Sequence, residues 1–389
     1  MRPWLEDQLR DAFSAAAEQV GPETLRPAEE AVRAKPGFLT RRFALAVPLA
    51  AALVVVVIGT VTAMVIGATT PAGPAAYSLT GPRFLLVADG DGVTVREART
   101  GKVASRVGLP PAPEGSFREP GGYLLAGAGD GETFYIAQSV TSRETQVSST
   151  RFYRARVDER GRPAELVRDV IPQVTGTTAS SLSVTGDGTR LAYSLDGTVC
   201  GQGRTVRFCP GAQLTVVDLP TGTTRTWTTN TAGQIKSLSW AADRRLLGLV
   251  VSSEARVLDT TAPGVTLAIS RVVAPGEEAT TSAISPDGRS MLIGHTRLSD
   301  GRRPHRYAID EYSVTDGRKI RTWLSRGRDG DVIPRWDLIR YDGTGRHLLL
   351  AGNFDPLSRL DDGRVTSLIH HGSPDPKLLG SPPEIRAAW

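Results

Sequence analysis

The chain has 389 residues, of which 40% are hydrophobic, 22% charged and 6% aromatic. This composition excludes a disordered chain, a collagen and a coiled coil, and a content of two cysteines excludes a disulfide-rich scaffold. The 46 basic and 41 acidic side chains leave a net charge of +5. The arginines form no run that could follow a phosphate backbone, so the sequence predicts no nucleic-acid partner.

An amphipathic helix is predicted near the N-terminus, where apolar side chains recur at helical spacing until Gly21-Pro22 ends the pattern. The apolar side chains of this stripe are Leu5, Leu9, Phe13, Ala16 and Val20. Nothing else in residues 1–42 can cover the stripe, and acidic residues on the polar face disfavour an anionic membrane surface. We therefore expect a protein partner to bind this helix, with a frayed tail as the alternative.

A membrane-spanning helix is predicted over residues 43–66, which carry no charge and belong to a stretch of 40 uncharged residues between Arg42 and Arg83. At about 1.5 Å per residue the 24 residues span a hydrocarbon layer of ~30 Å. Four basic residues precede the segment, so the positive-inside rule places residues 1–42 in the cytoplasm and the C-terminal part outside. The segment is too long for a cleaved signal peptide, so we expect a single-pass anchor in the cell membrane.

Residues 67–80 contain proline and glycine and no charge, which predicts a flexible tether. Further along the chain, Cys200 and Cys209 lie nine positions apart in a stretch rich in glycine. In an oxidising compartment such a pair predicts a local disulfide. A metal site would need further soft ligands at short spacing, and none lie nearby.

Residues 81–389 show short apolar runs separated by polar turns, without a long helical period. Two patterns alternate. In one, an aspartate caps a turn and an apolar run follows; its turn aspartates are Asp130, Asp187, Asp243, Asp287 and Asp342. In the other, a strand ends in a turn closed by glycine, at positions 101, 161, 222, 264, 317 and 363.

A repeat of about 50 residues with about four short strands per unit predicts an all-β fold, a β-propeller over residues 81–389. The length corresponds to six blades, with seven as the alternative count. A β-sandwich is the alternative fold, although a sandwich has no reason to repeat one turn chemistry six times.

The runs SPDGRSMLIG, VTGDGTRLAYS and VVDLPTG resemble blades of TolB-like and WD-repeat-like bacterial propellers. Trp336-Asp337 and Gly294-His295 match two WD-repeat dipeptides. We expect the first to lie before an inner strand and the second at the end of one, which are not the positions that the full signature requires.

With its anchor and arginine-rich flank, the chain also resembles single-pass proteins that accompany extracytoplasmic-function sigma factors. That resemblance implies an outer domain that senses and an inner segment that holds or tunes a sigma factor. Residues 1–42 lack the histidine and paired cysteines of zinc-type anti-sigma domains.

The sequence contains no recognisable motif of a hydrolase, a nucleotide-binding loop or a zinc protease, so it predicts no catalytic residue, no cofactor and no metal site. The function predicted is non-enzymatic: a membrane-anchored propeller that binds an unidentified ligand or protein outside the cytoplasm and signals inward. One alternative is an envelope-assembly scaffold with a passive anchor. A third is a propeller hydrolase or lactonase, which would hold a divalent metal ion.

Overall fold

A computed structural model of the protein describes residues 81–389, except 90–91, 196–198, 201–206, 209–210, 230–233, 276, 299–303, 328–335, 353–356, 362–363 and 370–385. The predicted amphipathic helix, membrane-spanning segment and tether lie outside these residues. Among the residues described, no helix is long and apolar enough to cross a membrane.

The secondary structure of the described residues is β, apart from one short 3-10 turn at Leu267–Ile269. In chain order the first strands are β1 (Phe84–Asp89), β2 (Gly92–Glu97), β3 (Val103–Val107), β4 (Ser116–Gly127), β5 (Thr133–Ser142), β6 (Ser148–Val157), β7 (Pro163–Arg168), β8 (Val174–Thr175), β9 (Ala179–Val184), β10 (Arg190–Leu195), β11 (Val199–Cys200), β12 (Arg207–Phe208), β13 (Gln213–Asp218) and β14 (Thr224–Thr228). They are followed by β15 (Ile235–Trp240), β16 (Leu246–Val251), β17 (Glu254–Asp259), β18 (Arg271–Val272), β19 (Ala279–Ile284), β20 (Ser290–Leu298), β21 (Pro304–Ser313), β22 (Lys319–Gly327), β23 (Trp336–Tyr341), β24 (His347–Gly352), β25 (Leu357–Asp361), β26 (Arg364–Ile369) and β27 (Arg386–Ala388).

These strands form six antiparallel sheets, each with a path of four strands, which are the blades of a propeller. Blade 1 is β4-β5-β6-β7, with β8 added beside β6; blade 2 is β9-β10-β13-β14; and blade 3 is β15-β16-β17-β18. Blade 4 is β19-β20-β21-β22, blade 5 is β23-β24-β25-β26, and blade 6 is β27-β1-β2-β3. The short β11-β12 hairpin is inserted within blade 2. The prediction of an all-β, six-bladed propeller is confirmed.

The two ends of the described chain meet in blade 6 and close the ring. Its inner strand β27 pairs with β1, so that Ala388 lies opposite Leu86 and Ala387 opposite Val87. The inner strands of blades 1 to 5 contact one another in turn, β27 contacts β4 of blade 1, and β24 of blade 5 contacts β27. Gly127 of β4 permits this last contact, because a Cβ at this position would overlap the main-chain carbonyl group of Trp389.

Six clusters of buried apolar side chains hold the ring together, one between each pair of neighbouring blades. In β1, for example, Leu86 packs toward blade 1, whereas Leu85 and Val87 pack toward blade 5. Both faces of such a strand are buried. The second strands therefore have the continuous apolar runs that the sequence shows, instead of alternating polar and apolar residues.

The turns between the first and second strands of blades 1 to 5 share one hydrogen-bond pattern. The N–H of the fourth turn residue donates to the C=O of the first, and the fourth residue has a positive φ. These fourth residues are Gly131, Gly188, Arg244, Gly288 and Gly345.

The predicted turn aspartates are not all equivalent in this pattern. Asp130, Asp187, Asp243 and Asp287 occupy the third turn position, where one carboxylate oxygen accepts main-chain N–H groups of the same turn. In blade 5 the third position is Thr344. Its aspartate, Asp342, is the first turn residue and accepts from the N–H groups of residues 346 and 347.

Asp187 also joins its turn to the next blade. Its Oδ1 accepts from the hydroxyls of Thr185 and Thr189, at 2.7 and 2.8 Å, and its Oδ2 pairs with Nη1 of Arg244 in blade 3 at 2.6 Å. Burial acts to raise the pKa of Asp187, but these hydrogen bonds outweigh it and hold the pKa below its ordinary value.

We expect Asp187→Ala to lower the free energy of unfolding by ~2–3 kcal/mol, because it removes the ion pair with Arg244 and two hydrogen bonds from threonine hydroxyls. Asp243→Ala is the matched control, since Asp243 caps the equivalent turn and, among the described residues, its carboxylate accepts from the main-chain N–H groups of residues 245 and 246. Chemical denaturation of both variants measures the difference. An equal loss in the two variants would show that Arg244 adds nothing beyond the cap.

Candidate ligand-binding site at the channel mouth

A cavity of ≈ 200 Å³ lies where the inner strands end, and residues of all six blades line it. Its wall includes four aromatic residues, Phe84, Trp240, Tyr341 and Trp389. Burial raises the pKa of Tyr341, so its phenol stays neutral. The lining combines these aromatic rings with six charged residues: Arg83, Asp130, Glu132, Glu159, Arg340 and Asp342.

The turns of blades 1 to 4 are joined to one another at the rim of this mouth. The N–H of Gly129 in blade 1 donates to the C=O of Gly186 in blade 2, and the N–H of Ala242 in blade 3 donates to the C=O of Pro286 in blade 4, at 2.8 and 2.7 Å. The Asp187–Arg244 ion pair joins blades 2 and 3. These contacts fix the positions of four of the six turns that surround the cavity.

Arg340 forms the floor of the mouth. It belongs to β23 of blade 5, and its Nη2 donates to the carbonyl oxygens of Leu125 in blade 1, at 3.2 Å, and of Leu182 in blade 2, at 2.9 Å. Blade 2 stands opposite blade 5 in the ring, so the side chain crosses the channel. Inner strands present unpaired main-chain groups toward the channel, and the guanidinium satisfies two of them.

The environment of Arg340 is poor in compensating charge. Burial lowers its pKa to about 10, and repulsion from Arg386 adds to this effect. The guanidinium still carries its charge at neutral pH. Among the described residues, the guanidinium of Arg340 forms no ion pair with a carboxylate.

A second, smaller cavity of ≈ 30 Å³ lies further along the channel, and Arg340 lines both cavities. The smaller one is lined by serines of blades 2 to 4 together with Lys236, Asp337 and Arg386. Arg340 is thus shared by the walls of the two cavities.

Two of the five predicted turn aspartates, Asp130 and Asp342, line the mouth cavity. Asp187, Asp243 and Asp287 are not part of its lining. The predicted partner-binding residues Leu5, Leu9, Phe13, Ala16 and Val20 lie outside the described residues, as does Cys209, and the side chain of Cys200 is not described, so the predicted disulfide stays a prediction.

Sequence reasoning missed Arg340 because the repeats were aligned on their turns and not on the strands that precede them. The residue two positions before the first turn residue is alanine or serine in blades 1 to 4: Ala126, Ser183, Ser239 and Ala283. Blade 5 has Arg340 at this position. One long charged side chain among small equivalents was the signal, and the small residues leave space for it to cross the channel.

The WD-repeat dipeptides also lie elsewhere than predicted. Trp336-Asp337 forms the first two residues of inner strand β23, and Gly294-His295 lies in the second strand, β20. Gly294 is needed there, because a Cβ would overlap the hydroxyl of Tyr307.

His295 belongs to a buried polar cluster in blade 4, away from the channel mouth. Its Nε2 lies 2.8 Å from Oδ2 of Asp310, and its Nδ1 lies 3.2 Å from Oε2 of Glu277. Asp310 Oδ2 also pairs with Nζ of Lys319 at 2.7 Å, and Asp310 Oδ1 accepts from the hydroxyl of Thr322 at 2.6 Å. The side chains of His295 and Asp310 are 0% and 1% exposed, so a substrate cannot reach them.

Within the part of the chain that the structure describes, no three histidine, cysteine, aspartate or glutamate side chains are arranged to hold a metal ion. In the His295 cluster the two carboxylates approach opposite nitrogens of the imidazole ring, and so they do not converge on one point.

The fold and the mouth define a β-propeller with a cavity large enough for a small ligand. No protein-family model matches the chain, and no curated protein matches its sequence. Among solved structures, the β-propeller domain of Cps50 (Swd1) from Myceliophteria thermophila is similar, with a TM-score of 0.37 and 13% identity over 63% of this chain and 68% of that chain. A likeness this distant carries no argument about function, and the propeller assignment rests on the strand order and the ring closure described above.

Proposed function

We propose that the chain is a non-enzymatic, membrane-anchored binding propeller of a bacterial cell envelope, with its propeller outside the cytoplasm and its binding site at the channel mouth. The observation that carries the binding role is the mouth cavity itself, which residues of all six blades line. The anchor is supported by the uncharged residues 43–66 and the basic residues before them.

Signalling inward is the second part of the proposal. The amphipathic stripe of residues 5–20 would bind a protein such as a sigma factor, because an apolar stripe in a short tail needs a partner to cover it. Gly81 lies at the rim of the mouth cavity, so the chain enters the propeller beside the proposed binding site. A ligand in the cavity would then act on the chain at the point where the tether ends.

External protease added to intact cells that express the full chain tests the topology. We expect digestion beyond residue 67 and a protected N-terminal fragment, detected with an N-terminal epitope tag. Membrane-permeabilised cells are the control, in which the fragment is also digested. A propeller that resists protease until the cells are permeabilised would contradict the proposal, provided that the purified propeller is cleaved under the same conditions.

Deletion of residues 1–30 separates signalling from a passive scaffold. We expect a changed transcriptional response with an unchanged amount of protein in the membrane. The matched control keeps the tail but replaces Leu5, Leu9 and Phe13 by serine, which removes the stripe and should reproduce the deletion. An unchanged response in both variants would favour the envelope scaffold.

A further inference from the structure

The lining of the mouth cavity carries more negative than positive charge, and most of the negative charge lies on one side. Four carboxylates line the cavity against two guanidinium groups. Three of the four belong to blade 1: Asp130 and Glu132 in the turn between β4 and β5, and Glu159 in the turn between β6 and β7. Blade 1 is therefore the acidic wall of the mouth.

Two carboxylates of this acidic wall are open to a ligand. Asp130 and Glu159 are exposed, and neither forms an ion pair with another described residue. Oδ1 of Asp130 accepts from the N–H groups of residues 132 and 133, at 2.9 and 2.8 Å, which leaves Oδ2 for a ligand. The carboxylates of Glu132 and Asp342 are less available, because the first lies 3.7 Å from the guanidinium of Arg156 and the second is buried and accepts hydrogen bonds within its own turn.

Aromatic side chains form other parts of the lining. Trp240 and Tyr341 are half-buried, so part of each side chain remains accessible in the cavity, and Phe84 and Trp389 lie beside it. The face of an aromatic ring attracts a cation, and Cζ of Arg83 already lies 5.6 Å from the centre of the Phe84 ring. Carboxylates opposite aromatic rings are the groups that recognise an organic cation. A metal ion is disfavoured, because in the described part of the chain no three carboxylate or imidazole groups converge to hold one.

The positive charge of Arg340 lies too deep to oppose such a ligand. Its Nη2 donates to the carbonyl oxygens of Leu125 and Leu182, each of which is three positions before the first turn residue of its blade, Ala128 or Thr185. Three residues of a strand span about 10 Å. The Debye length at physiological ionic strength is about 8 Å, so Arg340 acts weakly on a charge beside the turns, whereas the carboxylates of blade 1 contact it directly.

We infer that the channel mouth binds a small organic ammonium ion, whose charged group lies against Asp130 and Glu159 while its apolar part contacts Trp240 and Tyr341. This inference deepens the proposed function and rests on its assignment of binding to the mouth cavity. A cavity of about 150 Å³ can hold benzene. The mouth cavity, at ≈ 200 Å³, can therefore hold one ring with an ammonium group attached.

Titration of the purified full chain in detergent tests this inference, with detergent alone as the reference. The probes share one ring and differ in charge: benzylamine and benzyltrimethylammonium are cations at pH 7, benzyl alcohol is neutral and benzoate is an anion. Calorimetry and tryptophan fluorescence measure the binding. We expect saturable binding of at least one cation, at least ~10-fold tighter than that of benzyl alcohol or benzoate.

The order of the two cations identifies the kind of ammonium group. Benzylamine donates hydrogen bonds, so tighter binding of benzylamine would assign a primary ammonium held chiefly by the carboxylates. Benzyltrimethylammonium has no N–H, so tighter binding of this probe would assign a quaternary ion held chiefly by the aromatic rings.

Variants of the acidic wall connect the binding to blade 1. Glu159→Gln should weaken binding of the tighter cation ~3-fold, and the double variant Asp130→Asn/Glu159→Gln should weaken it at least ~10-fold, with little effect on benzyl alcohol. Glu144→Gln is the matched control, because it removes the same charge from an exposed position of blade 1 that does not line the cavity.

A variant of the aromatic wall gives a second measurement. Trp240→Leu keeps an apolar side chain and removes the ring, so it should weaken binding of the cation ~3–10-fold and that of benzyl alcohol less. Trp323→Leu is the control: Trp323 is half-buried in β22 and has the guanidinium of Arg321 over its ring, but it does not line the cavity. If Trp240→Leu fails to fold, as judged by circular dichroism, the glutamate variants carry the test.

Three results would overturn the inference: no saturable binding of either cation to the folded wild-type chain, binding of benzyl alcohol or benzoate as tight as that of the cations, or equal weakening by Glu159→Gln and Glu144→Gln. The second result would keep the mouth as a binding site and remove the ammonium ion as its ligand. None of the three would change the protease and tail-deletion outcomes. A failure of the ammonium site is therefore distinguishable from a failure of the proposed membrane-anchored binding role.

Discussion

Deletion of residues 386–389 is expected to prevent the propeller from closing, with a loss of at least ~5 kcal/mol in the free energy of unfolding. The deletion removes β27, the inner strand of blade 6, and exposes the edge of β1 to the channel. It also removes the large side chain of Trp389, which is 7% exposed and packs in the cluster between blades 5 and 6. A propeller without one inner strand has an unclosed ring and an edge that favours aggregation.

Val103→Ala is the control for this deletion, because Val103 lies in the outermost strand of the same blade and is 52% exposed. We expect a change within ~0.5 kcal/mol for this substitution. Denaturation monitored by tryptophan fluorescence and size-exclusion chromatography measures both effects. A truncated chain that unfolds cooperatively near the wild-type midpoint would show that β27 does not close the ring.

The contrast between these two strands also shows which parts of the fold could be predicted from the sequence. The turns were predictable because their chemistry is local: an aspartate and a residue of positive φ lie within four positions of each other. The strands that follow were predictable because burial on both faces makes them apolar throughout. Strand β27 was not predictable. Its sequence, RAAW at residues 386–389, contains no turn motif, and its partner β1 lies at the other end of the propeller sequence.

The candidate site was less predictable than the fold, because its groups act across the ring. Arg340 reaches Leu125 and Leu182, which belong to repeats far away in the sequence. Nothing local to Arg340 or Trp389 indicates that they share a cavity. The same holds for Asp310, whose neighbours in the sequence, Ile309 and Glu311, reveal neither its burial nor its contacts with His295 and Lys319.

Asp310→Asn is expected to lower the free energy of unfolding by ~3–5 kcal/mol at neutral pH, because it removes the negative charge from a buried cluster and leaves Lys319 without its carboxylate. Asp316→Asn is the control. It lies in the turn between β21 and β22 of the same blade, where its carboxylate accepts from the N–H of Arg318 and is exposed to solvent, so little change is expected.

The pH dependence gives a second, independent measure of the same cluster. Burial acts to raise the pKa of Asp310, but hydrogen bonds from Lys319, Thr322 and His295 outweigh it, so its pKa in the folded protein is below its ordinary value. A carboxylate with a lowered pKa stabilises the fold fully above its unfolded-state pKa, about 4, and this stabilisation is lost as the pH falls toward the folded-state pKa. The stability difference between wild type and Asp310→Asn should therefore be constant from pH 7 to about pH 5 and shrink at lower pH. A difference that stays the same down to pH 3 would mean that the cluster stabilises blade 4 through shape and not through the charge of Asp310.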